Sequence, residues 1–426
     1  SCRQTEGRVP GKTALQEAMS ALEAAAAMDG PEHDVYLRVA SMEEERLYID
    51  MGDPAWRAVD VGPHGWTVVE RPPVRFARPK GKGQLPEPIG GGELGEWAGF
   101  LNIPSEGDRL LALAWLVHGL NSKGPFPVLV LIGEQGSAKS TTARVLQRLL
   151  DPNAGNLRAA PHDLRDVAIA ANNCWLLAYD NLSGISYKLS DVICRLSTGG
   201  GFATRQLYSD DEEVIFAASR PVLMNGIDDL ATRPDLADRA IVLELPAIPV
   251  ENRRSEEEFW REFDSREPFI LGALYSLVAK SLAIRRSVTL KVAPRMADFA
   301  VTGVAVCRAL GLEDEVFLRA YSKNREESGA LAMESEPIAA AIIAFMAGGR
   351  EWVGTSTELL THLRRTAHDC NIPTDAWNWP KNPSKLGSAL RRVAPGLRQH
   401  GYAVSLDRVG KDRQRLISIT PAQSES

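Results

Sequence analysis

Apolar and polar positions along the chain change their period several times, and each change marks an element. From Lys12 to Met28 the sequence is rich in Ala, Leu and Glu and reads as a helix, stopped by Asp29-Gly30-Pro31. Short alternating runs follow at Val35–Val39, Arg46–Asp50, Trp56–Val59, Gly65–Val69 and Val74–Phe76, with turn residues between them, which predicts a small antiparallel β region. Residues 77–95 are rich in Pro, Gly and Lys and read as a linker. An amphipathic helix is expected over 106–120. Strand-like and helix-like runs then alternate from Val128 to about Ile248, the pattern of an α/β domain with a mostly parallel sheet. Residues 255–330 read as helical. The last unit reads as three helices, at 336–347, from Thr355 and from Asn382, followed by strands at Gly401–Leu406 and Arg413–Ile419. Pro383 suits the first turn of the third helix.

The pattern divides the chain into four expected parts. These are 1–95 (a helix, a small β-rich domain and a linker), 96–254 (an α/β domain), 255–334 (a helical region) and 335–426 (a compact terminal domain). A length of 426 residues fits two or three domains. The chain opens on Ser1-Cys2 rather than Met, which fits a piece of a longer protein. Apolar residues make up 44% and charged residues 24%, an ordinary globular balance. The five cysteines form no C-x-x-C pair, so neither a disulfide framework nor a zinc site is expected, and a cytoplasmic setting fits best. The apolar run Ile338–Ala347 is too short to span a bilayer, and no membrane association is expected.

The chemistry concentrates where the apolar run Val128–Ile132 meets Gly133-Glu134-Gln135-Gly136-Ser137-Ala138-Lys139-Ser140-Thr141. A buried strand before this segment and a helix after it are the context that a phosphate-binding loop requires. The loop's glycines let backbone N–H groups wrap a phosphate, and the helix N-terminus adds a favourable dipole. Lys139 would reach the β- and γ-phosphates of ATP, and the Ser140 hydroxyl would hold Mg²⁺. The pattern G-x-x-x-x-G-K-[ST] is broken only at Ala138. In this the loop resembles that of the minichromosome maintenance helicases, which also carry Ala before the Lys.

A second acid is offered by Cys174–Asn181, an apolar strand ending in Asp180 about 40 residues after Lys139. A carboxylate at the end of the strand beside the phosphate-loop strand holds Mg²⁺ in such ATPases. Read alone, Asp180-Asn181 is equally a turn that ends a strand. Many ATPases of this class carry a second acid next, and Asn181 stands there instead. Asn can orient a water but cannot take its proton.

The order that follows is Leu196-Ser197-Thr198-Gly199-Gly200-Gly201, a hairpin from about Thr204 to Val214, Arg220–Gly226 containing Asn225, and Arg233–Leu243 containing Arg239. Over roughly residues 100 to 250 it resembles the ATPase domain of superfamily 3 helicases within the AAA+ group, especially the primase-helicases of phages, plasmids and integrated mobile elements. The resemblance implies that Asn225 contacts the γ-phosphate or the attacking water. It makes Arg239 an arginine finger for a neighbouring subunit, with Arg233 in reserve. It also implies a ring, most simply a hexamer, with the hairpin facing a central pore and DNA. Against that last role, the hairpin turn Ser209–Glu213 is acidic, and only Arg205 and the upstream Lys188 supply positive charge.

The terminal unit looks like a winged helix. From residue 351 onward eleven Lys and Arg face seven Asp and Glu in a chain of net charge -6, an asymmetry that supports DNA contact. The third helix, with Lys385, Arg391 and Arg392, would enter the major groove. Lys411, Arg413 and Arg415 would meet phosphates from the wing. The alternative is that this unit packs on the ATPase or a partner protein. The leading expectation is an ATP-driven helicase or translocase on single-stranded or forked DNA, working with a primase or polymerase. An ATPase switch without unwinding, and a non-enzymatic DNA-binding protein with a structural nucleotide, are the alternatives.

Overall fold

The computed structural model describes residues 11–42, 45–200, 202–205, 213–216, 219–226, 230, 233–349, 351–376, 378–409 and 414–421. Helix α1 (Lys12–Asp29) leads the chain and has no buried residue, and Leu15, Met19, Leu22 and Met28 lie exposed along it. The β region then forms two short strands, β1 (Val35–Tyr36) and β6 (Arg75–Phe76), around a sheet of β2 (Val39–Met42), β3 (Arg46–Asp50), β4 (Ala58–Gly62) and β5 (Gly65–Val69). The four-stranded sheet is antiparallel in chain order, as expected, but β1 and β6 pair in parallel. They are the two ends of the region, so they meet side by side after the meander between them has closed.

Residues 77–94 carry no helix or strand, yet they are not a loose tether. Leu85 is buried, and Lys82 and Arg78 reach the buried carboxylate of Asp50. Helix α2 (Gly95–Ala98) and helix α3 (Glu106–Gly119) follow. The α3 helix was expected to be amphipathic, but every residue from Leu110 to Gly119 is buried. A helix apolar all round belongs inside a core, and α3 is enclosed by α9 and α10, defined below.

The central sheet is parallel and runs β12-β7-β11-β8, from β7 (Val128–Ile132), β8 (Leu177–Leu182), β11 (Val222–Gly226) and β12 (Ala240–Glu244). A parallel bridge from Arg158 to Tyr179 adds a short fifth edge beside β8. Helices α4 (Lys139–Leu150), α5 (Leu164–Asn173) and α6 (Tyr187–Thr198) connect these strands. Both sheet faces are covered, which is why the strands read as unbroken apolar runs. One expectation is corrected: β8, which carries Asp180, does not lie beside β7. Strand β11 is inserted between them, because the chain passes through β8 before returning to the centre of the sheet.

Between α6 and β11, β9 (Phe202–Arg205) and β10 (Glu213–Phe216) pair as an antiparallel hairpin, whose turn lies outside the described residues. Helix α7 (Pro234–Ala237) leads into β12, and α8 (Glu256–Arg285), α9 (Ala297–Ala309) and α10 (Asp314–Glu334) follow it. One continuous core joins the N-terminal sheet to one face of the central sheet through α3, α8, α9 and α10, with Val39, Ile49, Leu274 and Tyr275 among its members. By length and hydropathy α8 is apolar enough to cross a membrane, but 67% of its most apolar window is buried within the protein, as in a core helix.

The final unit has its own core. It runs α11 (Pro337–Met346), β13 (Trp352–Thr355), α12 (Ser356–Asp369), α13 (Pro383–Gln399), β14 (Tyr402–Val409) and β15 (Gln414–Pro421). The α12 start is a full capping box, with Thr355 accepting from Glu358 N–H and Glu358 accepting from Thr355 N–H. Pro383 stands in the first turn of α13, behind the Asn382 cap. Strand β13, unforeseen in the sequence, completes an antiparallel sheet in the order β13-β15-β14.

Candidate functional site

The candidate site residues gather around the segment between β7 and α4. Gly133 has a φ of 147°, and a Cβ there would lie 2.2 Å from the Leu245 carbonyl oxygen, so no side chain fits. Gly136 also takes a positive φ. At Ala138 the backbone is left-handed, with φ 56° and ψ 30°, the conformation that glycine normally supplies at this step. For an L-residue that costs about 1–2 kcal/mol. It directs the chain into α4, whose first residue is Lys139.

Lys139 folds back over the loop. Its ammonium donates to the Gly133 carbonyl at 2.7 Å, the Glu134 carbonyl at 2.8 Å and the Ser137 hydroxyl at 3.3 Å. The Ser140 hydroxyl donates to Asp180 Oδ1 at 2.7 Å. Although β8 is two strands away from β7, α4 packs against β8, and the end of that strand meets the start of the helix. A strand-end carboxylate touching a hydroxyl from the first helical turn is a pair of hard oxygen donors. Mg²⁺ takes such a pair and keeps waters for the rest of its shell. No cluster of three or more His, Cys, Asp or Glu that could hold a metal occurs among the described residues.

Asn181 has a φ of 54° and an exposed side chain. Its backbone N–H donates to Asn225 Oδ1 at 2.8 Å. Asn225, on the central strand β11, is buried, and its Nδ2 has no hydrogen-bond partner. An amide with one end fixed and the other unsatisfied at depth is a feature that needs explaining. Thus Lys139, Ser140, Asp180, Asn181 and Asn225 converge at the C-terminal edge of the parallel sheet, where ligands of open α/β sheets bind.

Arg239 and Arg233 stand apart. Arg239, immediately before β12, donates to the Asp235 carbonyl at 2.7 Å and pairs with the Asp235 carboxylate. Burial alone would raise the Asp235 pKa, but the Arg239 hydrogen bond holds it below the ordinary carboxylate range. Arg233 donates to the Tyr187 carbonyl at 2.7 Å, pairs with Asp191 at 2.8 Å and stacks on the Tyr187 ring. Neither guanidinium is joined to the loop by these contacts.

Sequence reasoning missed the back wall of the site. Asn102 Nδ2 donates to the Ser137 carbonyl at 2.9 Å and to the Pro246 carbonyl at 2.6 Å. Beside Ala138 and Thr141 opens a cavity of about 340 Å³, walled by Phe100, Leu101, Ile248, Phe259 and Trp260. The signal lay in Asn102 and in the aromatic pair Phe259-Trp260, which the sequence places far from the loop.

In the terminal unit, Lys385 and Arg391 are exposed on α13. Arg398, also exposed, lies seven residues after Arg391 on the same side of α13 and was not anticipated. Arg392 turns inward instead, donating to the buried Glu336 at 3.1 Å and lying 5.7 Å from the Tyr187 ring centre, so its charge is spent on the contact with the central domain. Burial raises the Glu336 pKa despite this pair. Lys188 is exposed on α6. Arg205 and Arg415 lie in β9 and β15. Lys411 and Arg413 lie outside the described residues.

The family model described as "Actinomycete integrative conjugative element replication protein" matches residues 96–326, and "AICE RepA C-terminal domain" matches residues 338–426. The chain belongs to this family of replication proteins. The first match spans the whole central sheet, the loop and α8 to α9, and the second spans the terminal unit. No curated protein sequence matches this one. Among solved structures, the apo C-terminal region of NrS-1 aligns at 12% identity over 98% of this chain and 93% of that one, with a TM-score of 0.40. NtrX from Brucella abortus, in complex with ADP, aligns at 15% identity over 68% of this chain and 67% of that one, with a TM-score of 0.24. Likenesses this loose carry no argument about activity. The family membership makes this a replication protein of an integrated mobile element.

Proposed function

We propose that the protein is an ATP-dependent DNA helicase or translocase that works on its element's DNA as a ring, in the manner of superfamily 3 members of the AAA+ group. The observation that carries this reading is the Ser140 Oγ to Asp180 Oδ1 contact of 2.7 Å at the mouth of the Gly133–Ser140 loop. It supports a P-loop with its magnesium-binding pair already assembled. Bound Mg²⁺ would neutralise charge on the phosphates of ATP. Ser140 and Asp180 would hold it, Lys139 would leave its carbonyl partners for the β- and γ-phosphates, and the loop amides would cradle the chain of phosphates. The Asn225 amide, with Nδ2 unsatisfied, suits a contact to the γ-phosphate or the attacking water. The cavity beside Thr141 suits the base.

Arg239 would complete the site of the neighbouring subunit, leaving Asp235 to do so. The order helix, strand, helix, helix, strand, strand from 337 to 421 supports a winged helix, with Lys385 and Arg391 on the face of α13 turned to DNA. We read 1–95, 96–254, 255–334 and 335–426 as the functional parts, the first three sharing one core. A primase or polymerase is the expected replication partner.

A second reading is favoured by one observation. The position after Asp180 is Asn181, which cannot act as a base, so slow hydrolysis would make the protein a nucleotide-driven switch. Steady-state ATP hydrolysis with and without single-stranded DNA, followed by strand separation on a fork, distinguishes the two. The helicase reading expects Lys139-dependent hydrolysis that rises with DNA. Hydrolysis indifferent to DNA, without strand separation, supports the switch.

A further inference from the structure

The loop is backed by the connection from β12 to α8, and one side chain of that connection returns over the loop. Ile248 N–H donates to the Gly136 carbonyl at 3.1 Å, and Asn102 ties the Ser137 and Pro246 carbonyls together. Loop and connection are therefore tied together at three carbonyls. Arg253 Nε donates to the Ile248 carbonyl at 3.2 Å, and this turns the guanidinium back towards Gly136. A Cβ built on Gly136 would lie 3.2 Å from Arg253 Nη2 and 3.8 Å from its Cζ.

The surrounding cations are neutralised. Arg254 pairs with Glu262, Arg144 with Glu256 at 3.5 Å and Arg148 with Asp264 at 2.7 Å as well as with Glu267. Among the described residues Arg253 has no carboxylate partner, and its side chain is exposed. A guanidinium without a counter-charge, held by its own connection against a backbone cradle for phosphate, has the geometry of a phosphate ligand.

We infer that Arg253 binds the terminal phosphates of the nucleotide from within the same subunit, as a second cation facing Lys139 across the loop. This rests on the reading of the Gly133–Ser140 loop as a nucleotide site. Because Ile248, Pro249, Asn252 and Arg254 also wall the adjoining cavity, a bound nucleotide touches the β12–α8 connection at both of its ends. Helix α8 begins at Glu256 and packs on β4 and β5, so the connection links the phosphates to the N-terminal sheet.

The test is equilibrium binding of fluorescent ATP, ADP and AMP analogues to the full chain, for wild type, Arg253→Ala, Arg253→Lys and Lys139→Ala. The inference expects Arg253→Ala to weaken ATP binding about tenfold, the usual scale of one charge-assisted contact, and AMP binding little. Arg253→Lys should recover part of the loss, and the melting temperature without nucleotide should stay at the wild-type value. If Lys139→Ala loses ATP while Arg253→Ala binds all three as wild type does, the inference about Arg253 fails alone. Equal losses for ATP, ADP and AMP would make Arg253 structural and overturn it too. If wild type binds no nucleotide, the reading of the loop falls, and this inference with it.

Discussion

Two clusters of charged and polar groups flank the central sheet, and they are finished to different degrees. At the junction with the N-terminal sheet, Arg38 is completely buried and fully used. It donates to Asp151 at 2.7 Å and to the carbonyls of Asp50, Gly83 and Pro152. Asp151 in turn accepts from the backbone of Trp175 and Leu176. Nearby, Asp50 is gripped by Arg78 and Lys82, which hold its pKa down against the effect of burial, and burial brings Lys82 down to about 8. At the opposite end of the sheet, Lys139 leans on backbone carbonyls, Ser140 and Asp180 occupy each other, and Asn225 keeps an unsatisfied amide. A satisfied buried network joins two units into one body. An incomplete one leaves its chemistry for a ligand.

The comparison breaks most visibly at Arg38. Arg38→Ala strands Asp151 and is expected to cost about 3–5 kcal/mol, seen as a lower midpoint in urea unfolding. At the proposed nucleotide site, Asp180→Ala should leave the midpoint near wild type while abolishing magnesium-dependent nucleotide binding. A collapse of the fold there would erase the distinction between the two clusters.

The next effect belongs to His118, buried with Nδ1 on Thr302 and Nε2 on the Pro125 carbonyl. Burial lowers its pKa to about 4. The unfolded chain therefore takes up a proton first, and stability present above about pH 6.5 should fall as pH drops towards 4, by about 3 kcal/mol in all. His118→Gln should flatten that slope in unfolding measured from pH 7 to pH 4. An unchanged slope would assign acid sensitivity elsewhere.

Ala138→Gly relieves the left-handed alanine and is expected to stabilise the nucleotide-free protein by about 1 kcal/mol, read as a small rise in melting temperature. Smallest of all, Lys385→Ala with Arg391→Ala should leave stability unchanged and weaken DNA binding, with a shallower salt dependence. If DNA affinity at each salt concentration stays at the wild-type value, the α13 face is not the DNA surface.

Much of the candidate site's geometry was legible because it is local. Gly133, Lys139 and Ser140 lie within one turn of chain between a strand and a helix, and short-range pattern reports such geometry well. Asp180 was legible as a strand-ending acid, but its strand's place in the sheet was not. Nothing in the run Leu177–Leu182 says that β11, which follows it by 40 residues, will separate it from β7. Asn102, Arg253 and the aromatic wall escaped for the same reason: the tertiary fold alone brings them to the loop. Helix α3 read as amphipathic because it opens on Glu106, Asp108 and Arg109, while its one later polar residue, His118, is buried. Arg392 read as a surface cation, since sequence cannot tell that the buried Glu336 would claim it.

A magnesium-nucleotide site completed between subunits, as proposed, is tested most directly by subunit mixing. Lys139→Ala removes the site's own cation, and Arg239→Ala removes the one offered to a neighbour. Each variant alone should be close to inactive in ATP hydrolysis. Mixed in equal amounts, they should regain a measurable part of the wild-type rate, because some interfaces then join an intact Lys139 to an intact Arg239. Mixtures as inactive as either variant, from chains shown to co-assemble, would mean that Arg239 does not complete a neighbour's site.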